Sequence, residues 1–308
     1  MAELDPLRDY LPSSPYIPDE ANRAGSDAIV PEQHLWGPRD YWKNPFYKAN
    51  RAVFASEIGY HGMPHAASVR KFIPEAELND RSSPSWICHA SQPDADPDGP
   101  FAYRNRLMES QSAFFWGAAS EDPDTFMRQS QIVQAEALKY FIELFRAAKW
   151  HKTGLIWWNV IDCWPQFSDA VTDYYFVRKL AFYYIRSVQR PLILIVGDPE
   201  GTPPKATLTV SNDAPEPAAG SYTVSDLDSG EILARGTYAV EADAAAKIDA
   251  FELDPDRRRM LLIRWDNAGK TACSHYLAGK PPFDLTRYLK WLGILDEKIY
   301  ARLGRNEW

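Results

Sequence analysis

Val53-Phe54-Ala55-Ser56-Glu57-Ile58-Gly59-Tyr60 is the most informative segment of the sequence. Its apolar and small residues form a short run of the kind that reads as a buried parallel strand. Glu57 then stands where burial should forbid it, with Gly59 close behind. An unpaired carboxylate inside a core is heavily penalised, so it is rare unless it lies at a strand end facing a cleft. In a barrel of alternating strands and helices, the carboxyl ends of the strands are where reactive side chains lie. The plainer reading is a strand-end Glu that is exposed, salt-bridged and without a role.

Downstream, Ser120-Glu121-Asp122-Pro123 offers a cap, early acidic residues and a first-turn proline. Phe126, Val133, Ala137, Phe141, Leu144 and Ala148 form one apolar stripe, which predicts a helix over 123–150. Lys149, His151 and Lys152 crowd its end, where positive charge suits the helix dipole, and Gly154 is expected to stop it. Leu155-Ile156-Trp157-Trp158-Asn159-Val160-Ile161 follows as a buried strand. A helix leading by a tight turn into such a strand is one unit of an α/β fold with parallel strands. A shorter helix is expected over 104–117 and another over 174–188.

Pro191 marks a boundary, and from there to residue 277 the texture changes to short alternating strands with turns at Asp198-Pro199-Glu200-Gly201 and Asp228-Ser229-Gly230. That pattern predicts an antiparallel β-sandwich of about ninety residues, the scale of an immunoglobulin-like domain. The expected organisation is therefore an α/β unit over 1–190, the sandwich over 191–280 and a helical tail over 281–308. Residues 1–50 are rich in Pro and turn residues, with strand ends expected at Ile29-Val30 and His34-Leu35-Trp36, and 91–100 reads as a surface loop.

The 308 residues carry a net charge of −8 and no Lys/Arg cluster, which argues against nucleic acid and anionic membrane surfaces as partners. No apolar stretch is long enough to span a bilayer, and Met1-Ala2-Glu3-Leu4-Asp5 lacks the basic start of a signal peptide. Cys88, Cys163 and Cys273 are too few and scattered for a disulfide framework or zinc site, and fit free thiols in a cytoplasmic protein. His61 and His65 are four apart, but Pro64 between them argues against a helix that would pair them on a metal; neither metal nor cofactor is expected. Aromatic residues reach 13%, with 11 Trp, and many stand beside polar residues, as in Asp40-Tyr41-Trp42. Such pairs suit a ligand with one apolar face and a rim of hydroxyls, a sugar ring for example, although core filling accounts for about half of them.

Three clusters stand in order: His34-Leu35-Trp36-Gly37, Ser56-Glu57-Ile58-Gly59, and Trp157-Trp158-Asn159-Val160-Ile161-Asp162-Cys163-Trp164-Pro165. Together with the helix bearing Gln134-Ala135-Glu136-Ala137, they resemble the last part of the catalytic barrel of family 2 glycoside hydrolases, above all the β-mannosidase-like members. The resemblance covers residues 10 to 190, and a following sandwich is usual in that family. It implies a partial (β/α)8 TIM barrel, its last three or four strands, ahead of the immunoglobulin-like sandwich. It implies a retaining, exo-acting glycosidase in which Glu57 is the nucleophile, while His34, Trp36, Trp158, Asp162 and Trp164 contour the pocket of a terminal sugar. For Asp162 the plainer reading is a cap or turn residue, and for His34 a satisfied core histidine. Trp157 and Trp158 alternate faces, so one packs inward and the other reaches the cleft. The Asp162-Cys163-Trp164 strand end favours β-mannosides over β-galactosides or β-glucuronides.

One departure counts against an unaided enzyme. The family's acid/base Glu follows an Asn at the end of an earlier strand, and the one Asn-Glu here is Asn306-Glu307, at the far end of the sequence. A complete eight-stranded barrel takes about 250 residues. The expectation is a partial catalytic region that lacks its acid/base and is inactive alone, completed by an upstream polypeptide or self-associating through its open edge. The competing readings are a non-catalytic carbohydrate-binding or interaction fragment, and an unrelated α/β protein with a coincidental Ser-Glu-Ile-Gly.

Overall fold

The computed structural model describes residues 3–8, 10–25, 31–38, 40–90 and 103–300. In chain order come α1 (Asp19–Arg23), β1 (Glu32–His34), α2 (Pro45–Lys48), β2 (Phe54–Gly59), α3 (Ala66–Val69), α4 (Pro84–Cys88), α5 (Tyr103–Trp116), α6 (Pro123–Ala147), β3 (Gly154–Trp158) and α7 (Leu180–Val188). The antiparallel strands are β4 (Leu192–Val196), β5 (Lys205–Asn212), β6 (Ala218–Asp226), β7 (Ile232–Val240), β8 (Ala244–Glu252), β9 (Arg259–Asn267) and β10 (Lys270–Ala278). Then α8 (Leu285–Leu295) runs into a π-helical turn, Asp296–Tyr300. Ile29-Val30, the loop expected over 91–100 and Asn306-Glu307 lie outside the described residues.

The first three strands form one parallel sheet in the order β1-β2-β3. The helix predicted from residue 123 is α6, capped by the Asp122 carboxylate, which accepts from the Thr125 amide at 2.9 Å. Phe126, Val133, Ala137 and Phe141 of its apolar stripe are buried as expected, whereas Leu144 is half-buried and Ala148 lies past the helix end; Gln129, Gln131, Gln134, Glu136, Lys139 and Glu143 are buried as well. These polar side chains serve neighbouring backbone. Gln129 accepts from the Ser120 amide at 2.8 Å, Gln131 from that of Leu180 at 3.0 Å, and Gln134 donates to the Asp169 carbonyl at 2.9 Å. Irregular segments that have no ladder of their own are thereby satisfied on α6.

The helix ends at Ala147, short of residue 150, and Gly154 does not stop it. Past the end, Lys149 pairs with Asp213 at 2.8 Å and with Asp243, and the buried Lys152 ammonium donates to the carbonyls of Asn50 and Ala52. Those ion pairs and carbonyl contacts, rather than a dipole interaction alone, occupy the two lysines. Gly154 instead opens β3, where an added Cβ would lie 3.1 Å from the Phe54 ring. The helix expected from residue 174 starts at Leu180, because the Asp173 carboxylate accepts from the amides of Tyr175 and Val177 and folds that segment into a turn.

The antiparallel strands form two sheets, β10-β9-β6-β7 and β4-β5-β8. Counted within this unit, the strand orders are 7-6-3-4 and 1-2-5. Val224, Ile263 and Trp265 of one sheet and Leu194, Leu208 and Val210 of the other are buried in one hydrophobic cluster, which continues into α6, α7 and the parallel sheet. A second cluster, with Met63, Trp86, Phe126 and Phe167, lies under the loops that follow β2. Among the described residues no helix is long and apolar enough to cross a membrane.

Asp198, read from the sequence as a turn residue, is the junction between the two units. Its carboxylate meets Lys43 and Lys48, each at 2.9 Å, and accepts from the hydroxyls of Tyr140 at 3.0 Å and Tyr276 at 2.6 Å. Burial works to raise its pKa, but Lys43, the Tyr276 hydroxyl and Lys48 prevail and hold it well below the usual aspartate range. The folded-state pKa is therefore depressed relative to the unfolded chain. The resulting stabilisation is complete above an unfolded aspartate pKa of about 3.9 and is lost as pH falls through the folded value. Asp198→Asn is expected to lower unfolding stability by about 3 kcal/mol near neutral pH, since it leaves two lysines without their counter-charge. Denaturant titrations at several pH values check both points. The variant's stability is expected to fall less steeply than the parent's as pH drops below 4.

Candidate functional site

The parallel sheet places His34 at the end of β1, Glu57 to Gly59 at the end of β2 and Trp158 at the end of β3. The register opposes His34 to Glu57 and Gly59 to Trp158. Both ladders slip within the same part of β2. Gln33 and His34 are neighbours on β1 but oppose Ala55 and Glu57, while Leu155 and Trp157 oppose Ala55 and Ile58. One extra residue is thus accommodated around Ser56 and Glu57, a β-bulge of the kind that re-aims a side chain beside a functional site.

The consequence is visible in the contacts. The Ser56 hydroxyl donates to Glu32, and the adjacent Glu57 carboxylate lies 3.3 Å from His34 Nδ1. Glu32 and His34 share one face of β1, being two residues apart, and both contact the Ser14 hydroxyl, at 2.8 and 3.1 Å. Adjacent residues of a regular strand would face opposite ways. The bulge lets Ser56 and Glu57 serve the same face.

Glu57 is held asymmetrically. The Trp36 indole N–H donates to Oε2 at 2.9 Å, and the His34 imidazole approaches that same oxygen. Among the described residues, no hydrogen bond is made to Oε1. The carboxylate is half-buried, with 27% of its side chain exposed. Gly59 makes room for this arrangement: an added Cβ there would lie 2.7 Å from the Trp36 ring and 2.9 Å from the Trp158 carbonyl oxygen. A carboxylate with one oxygen fixed and the other open is suited to attack an electrophilic carbon or to accept a proton.

Glu32 is a second carboxylate at this site that sequence reasoning missed. Burial works to raise its pKa, but hydrogen bonds from Ser56, Ser14 and the Tyr16 amide, with the nearby His34, bring it below the ordinary glutamate range. All three hydrogen-bond donors serve the ionised form, so Glu32 organises the site as an anion and is poorly suited to give up a proton. The sequence signal was the alternation Glu32-Gln33-His34, which sends its first and third side chains to one face.

The other expected pocket residues divide. Trp158 is exposed at 44%, while Trp157 is half-buried against the core cluster. Trp164 stacks on His89, with ring centroids 5.2 Å apart. Asp162 is closed off: Oδ1 accepts from Gln166 at 2.7 Å and Ser168 at 2.5 Å, and Oδ2 is buried. Burial raises its pKa against the opposing effects of Lys179 and these two donors. His61 is buried against Asp169 at 3.2 Å, and His65 caps α3 by accepting from the Ala67 amide at 3.2 Å. Among the described residues no group of three or more His, Cys, Asp or Glu is arranged to hold a metal ion.

No family model matches the chain. The curated β-mannosidase B of Aspergillus flavus is 26% identical over 199 residues, which are 62% of this chain and 22% of that protein. An exo-β-D-glucosaminidase of Arthroderma benhamiae is 24% identical over 247 residues, 76% of this chain and 27% of its own length. The chain therefore spans a minor part of the curated relatives it matches. Among solved structures, the β-D-mannosidase of Dictyoglomus thermophilum superposes with a TM-score of 0.74 at 22% identity, covering 92% of this chain and 34% of that one. The exo-chitosanase of Amycolatopsis orientalis superposes with a TM-score of 0.58 at 17% identity, covering 82% and 30%. In sequence and in fold, the chain is similar to the C-terminal part of family 2 glycoside hydrolases of the β-mannosidase-like kind.

Proposed function

We propose that this chain is the nucleophile-bearing part of a retaining, exo-acting β-glycosidase, with β-mannosides as the favoured substrates. The observation that carries the reading is the Glu57 carboxylate at a parallel strand end, with Oε2 held by Trp36 and His34 and Oε1 open. In such an enzyme Glu57 Oε1 attacks the anomeric carbon, the glycosidic bond breaks as a second carboxyl group protonates the departing oxygen, and water then releases the sugar. Trp36 and His34 orient the nucleophile, and Trp158 supplies an exposed aromatic face for the sugar ring. The enclosed Asp162 and the stacked Trp164 act on the pocket through the loop that they shape. The β-mannosidase and exo-glucosaminidase relatives support a β-glycosidase, while the choice of mannoside rests on Asp162-Cys163-Trp164, which lies in the loop beyond β3, since that strand ends at Trp158 rather than at Ile161.

The parallel sheet fits the closing strands of a (β/α)8 barrel. The seven antiparallel strands fit an immunoglobulin-like sandwich in which the fourth strand pairs with the third. The acid/base carboxyl lies outside these residues in this proposal, since Glu32 is held as an anion. That same fact favours a second reading for the chain by itself, a module that binds sugar without cleaving it. Three free thiols, two of them exposed, support a cytoplasmic setting.

The purified chain is expected to show no Glu57-dependent turnover of an activated aryl β-mannoside; turnover abolished by Glu57→Gln would overturn the need for an outside acid. Retention on immobilised β-mannan without turnover would favour the binding module. In the active assembly, Trp36→Phe removes the indole donor and is expected to lower kcat about 10- to 100-fold, from the value of a hydrogen bond to a charged group. Steady-state kinetics against aryl β-mannosides read this out. Gly59→Ala is expected to lower kcat in the same assay by displacing the Trp36 ring.

A further inference from the structure

The hydrogen bonds around His34 fix more than its position. Its Nδ1 lies 3.3 Å from Glu57 Oε2, and its Nε2 lies 3.1 Å from the Ser14 hydroxyl, which is itself 2.8 Å from Glu32 Oε1. An ionised carboxylate only accepts, and a serine hydroxyl has one proton to give. Glu32 is an anion here, since Ser56 and the Tyr16 amide donate to it besides Ser14. The Ser14 proton therefore goes to Glu32, the shorter and charge-assisted contact. Turned to the imidazole instead, it would leave two oxygens 2.8 Å apart with no proton between them. The Ser14 oxygen is thus an acceptor toward His34, and the contact at Nε2 takes its proton from the ring. Nδ1 faces a second acceptor-only oxygen, Glu57 Oε2, to which the Trp36 indole also donates, as suits an anion.

We propose that Glu32 and Ser14 are positioning residues that keep a proton on each ring nitrogen of His34, so that an imidazolium bridges two carboxylates and orients Glu57. The contacts run Glu32–Ser14–His34–Glu57 and join the Ser14 segment, β1 and β2. A neutral imidazole satisfies Glu57 alone, through Nδ1. The second carboxylate, reached through Ser14, is what demands the proton on Nε2. The bulge in β2 gains a reason as well: it turns Ser56 toward Glu32, the anchor of the relay, and Glu57 toward its other end. The charge arrangement rests on hydrogen-bond geometry, and only its bearing on turnover rests on the glycosidase reading. In that reading the imidazolium donates more strongly to a free carboxylate than to the carbonyl oxygen of a glycosyl ester, so the relay favours release of the sugar. There the bond between the anomeric carbon and Oε1 breaks and its electron pair returns to Glu57. Water forms the new bond to that carbon and gives its proton to the second carboxyl group.

The test reads the protons on His34 in the purified full chain at neutral pH. Two-bond proton–nitrogen NMR correlations separate an imidazolium from either neutral tautomer, and loss of the signal in His34→Gln assigns it. In the parent both ring nitrogens are expected to carry protons. Glu32→Gln and Ser14→Ala are each expected to leave a neutral ring protonated at Nδ1 alone. Ser14→Thr, which keeps a hydroxyl, is expected to retain the parent pattern. The parent spectrum needs no substitution, and thermal melting of each variant verifies folding. In the active assembly Glu32→Gln is expected to lower kcat about 10-fold with KM near the parent's, the size of one hydrogen bond to a charged group. A parent ring with a single proton overturns the proposal. So does a second proton that survives both Glu32→Gln and Ser14→Ala, or an unchanged kcat in Glu32→Gln. A doubly protonated ring in a protein that turns over no β-glycoside upholds the relay and removes the glycosidase reading.

Discussion

Helix α6 is buried with polar side chains on it, and that burial organises the segments around it. A helix enclosed on most sides is ordinarily apolar all round. This one carries glutamines, a serine and an i,i+4 Lys139–Glu143 pair at 2.7 Å into the interior. Each finds a partner: loop amides and carbonyls from 118–120, 63, 169–170 and 180, and beyond them the sandwich. Glu136 accepts from Tyr288 of α8 at 2.5 Å and contacts His275 of β10 at 3.1 Å. Desolvation makes an unpaired group in such a place expensive, so the geometry of these segments is tightly specified. With the Asp198 junction, the helix makes the α/β unit and the sandwich share one interior.

The candidate site inherits its precision from that interior. The parallel sheet packs on α6 through β3, and Gly62 and Ser168, which flank the loops beyond the strand ends, both offer carbonyls to the buried Lys179 ammonium, at 2.7 and 3.4 Å. Burial lowers the pKa of that ammonium, and Asp162, Asp173 and Asp169 oppose the shift. Asp162 therefore contributes to the loop that frames the strand ends. The open Oε1 of Glu57 stands on a scaffold in which Glu32, His34 and Trp36 are already engaged.

How far the sequence was legible depended on whether a signal was local. The Ser-Glu-Ile-Gly strand end, the Asp122-Pro123 helix start and the periodicity of the strands after Pro191 are local, and each element lies where those patterns put it. The Asp228-Ser229-Gly230 turn is local too, with Gly230 at φ +72° and the Asp226 carboxylate accepting from amides 228 and 229. What could not be read was set by distant partners. Asp198 looked like one more turn residue because its lysines are some 150 positions away. Glu32 drew no reading of its own because Ser14 and Ser56, which hold it, lie on other segments. The polar face of α6 was masked by its apolar stripe, and the start of α7 was misplaced because a single carboxylate, Asp173, bends the chain ahead of it.

The slipped ladder around Ser56 and Glu57 ties chemistry to a residue count rather than to residue identity alone. A strand one residue shorter at this point would heal both registers and pair more regularly with its two neighbours. It would also turn either the serine or the glutamate away from β1, since alternation allows only one of them there. Lineages that shorten this strand would thus become better sheets and lose the site, even with both residue types retained elsewhere. Length polymorphism between Ala55 and Ile58 is therefore a sharper marker of lost function than substitution among the surrounding apolar residues.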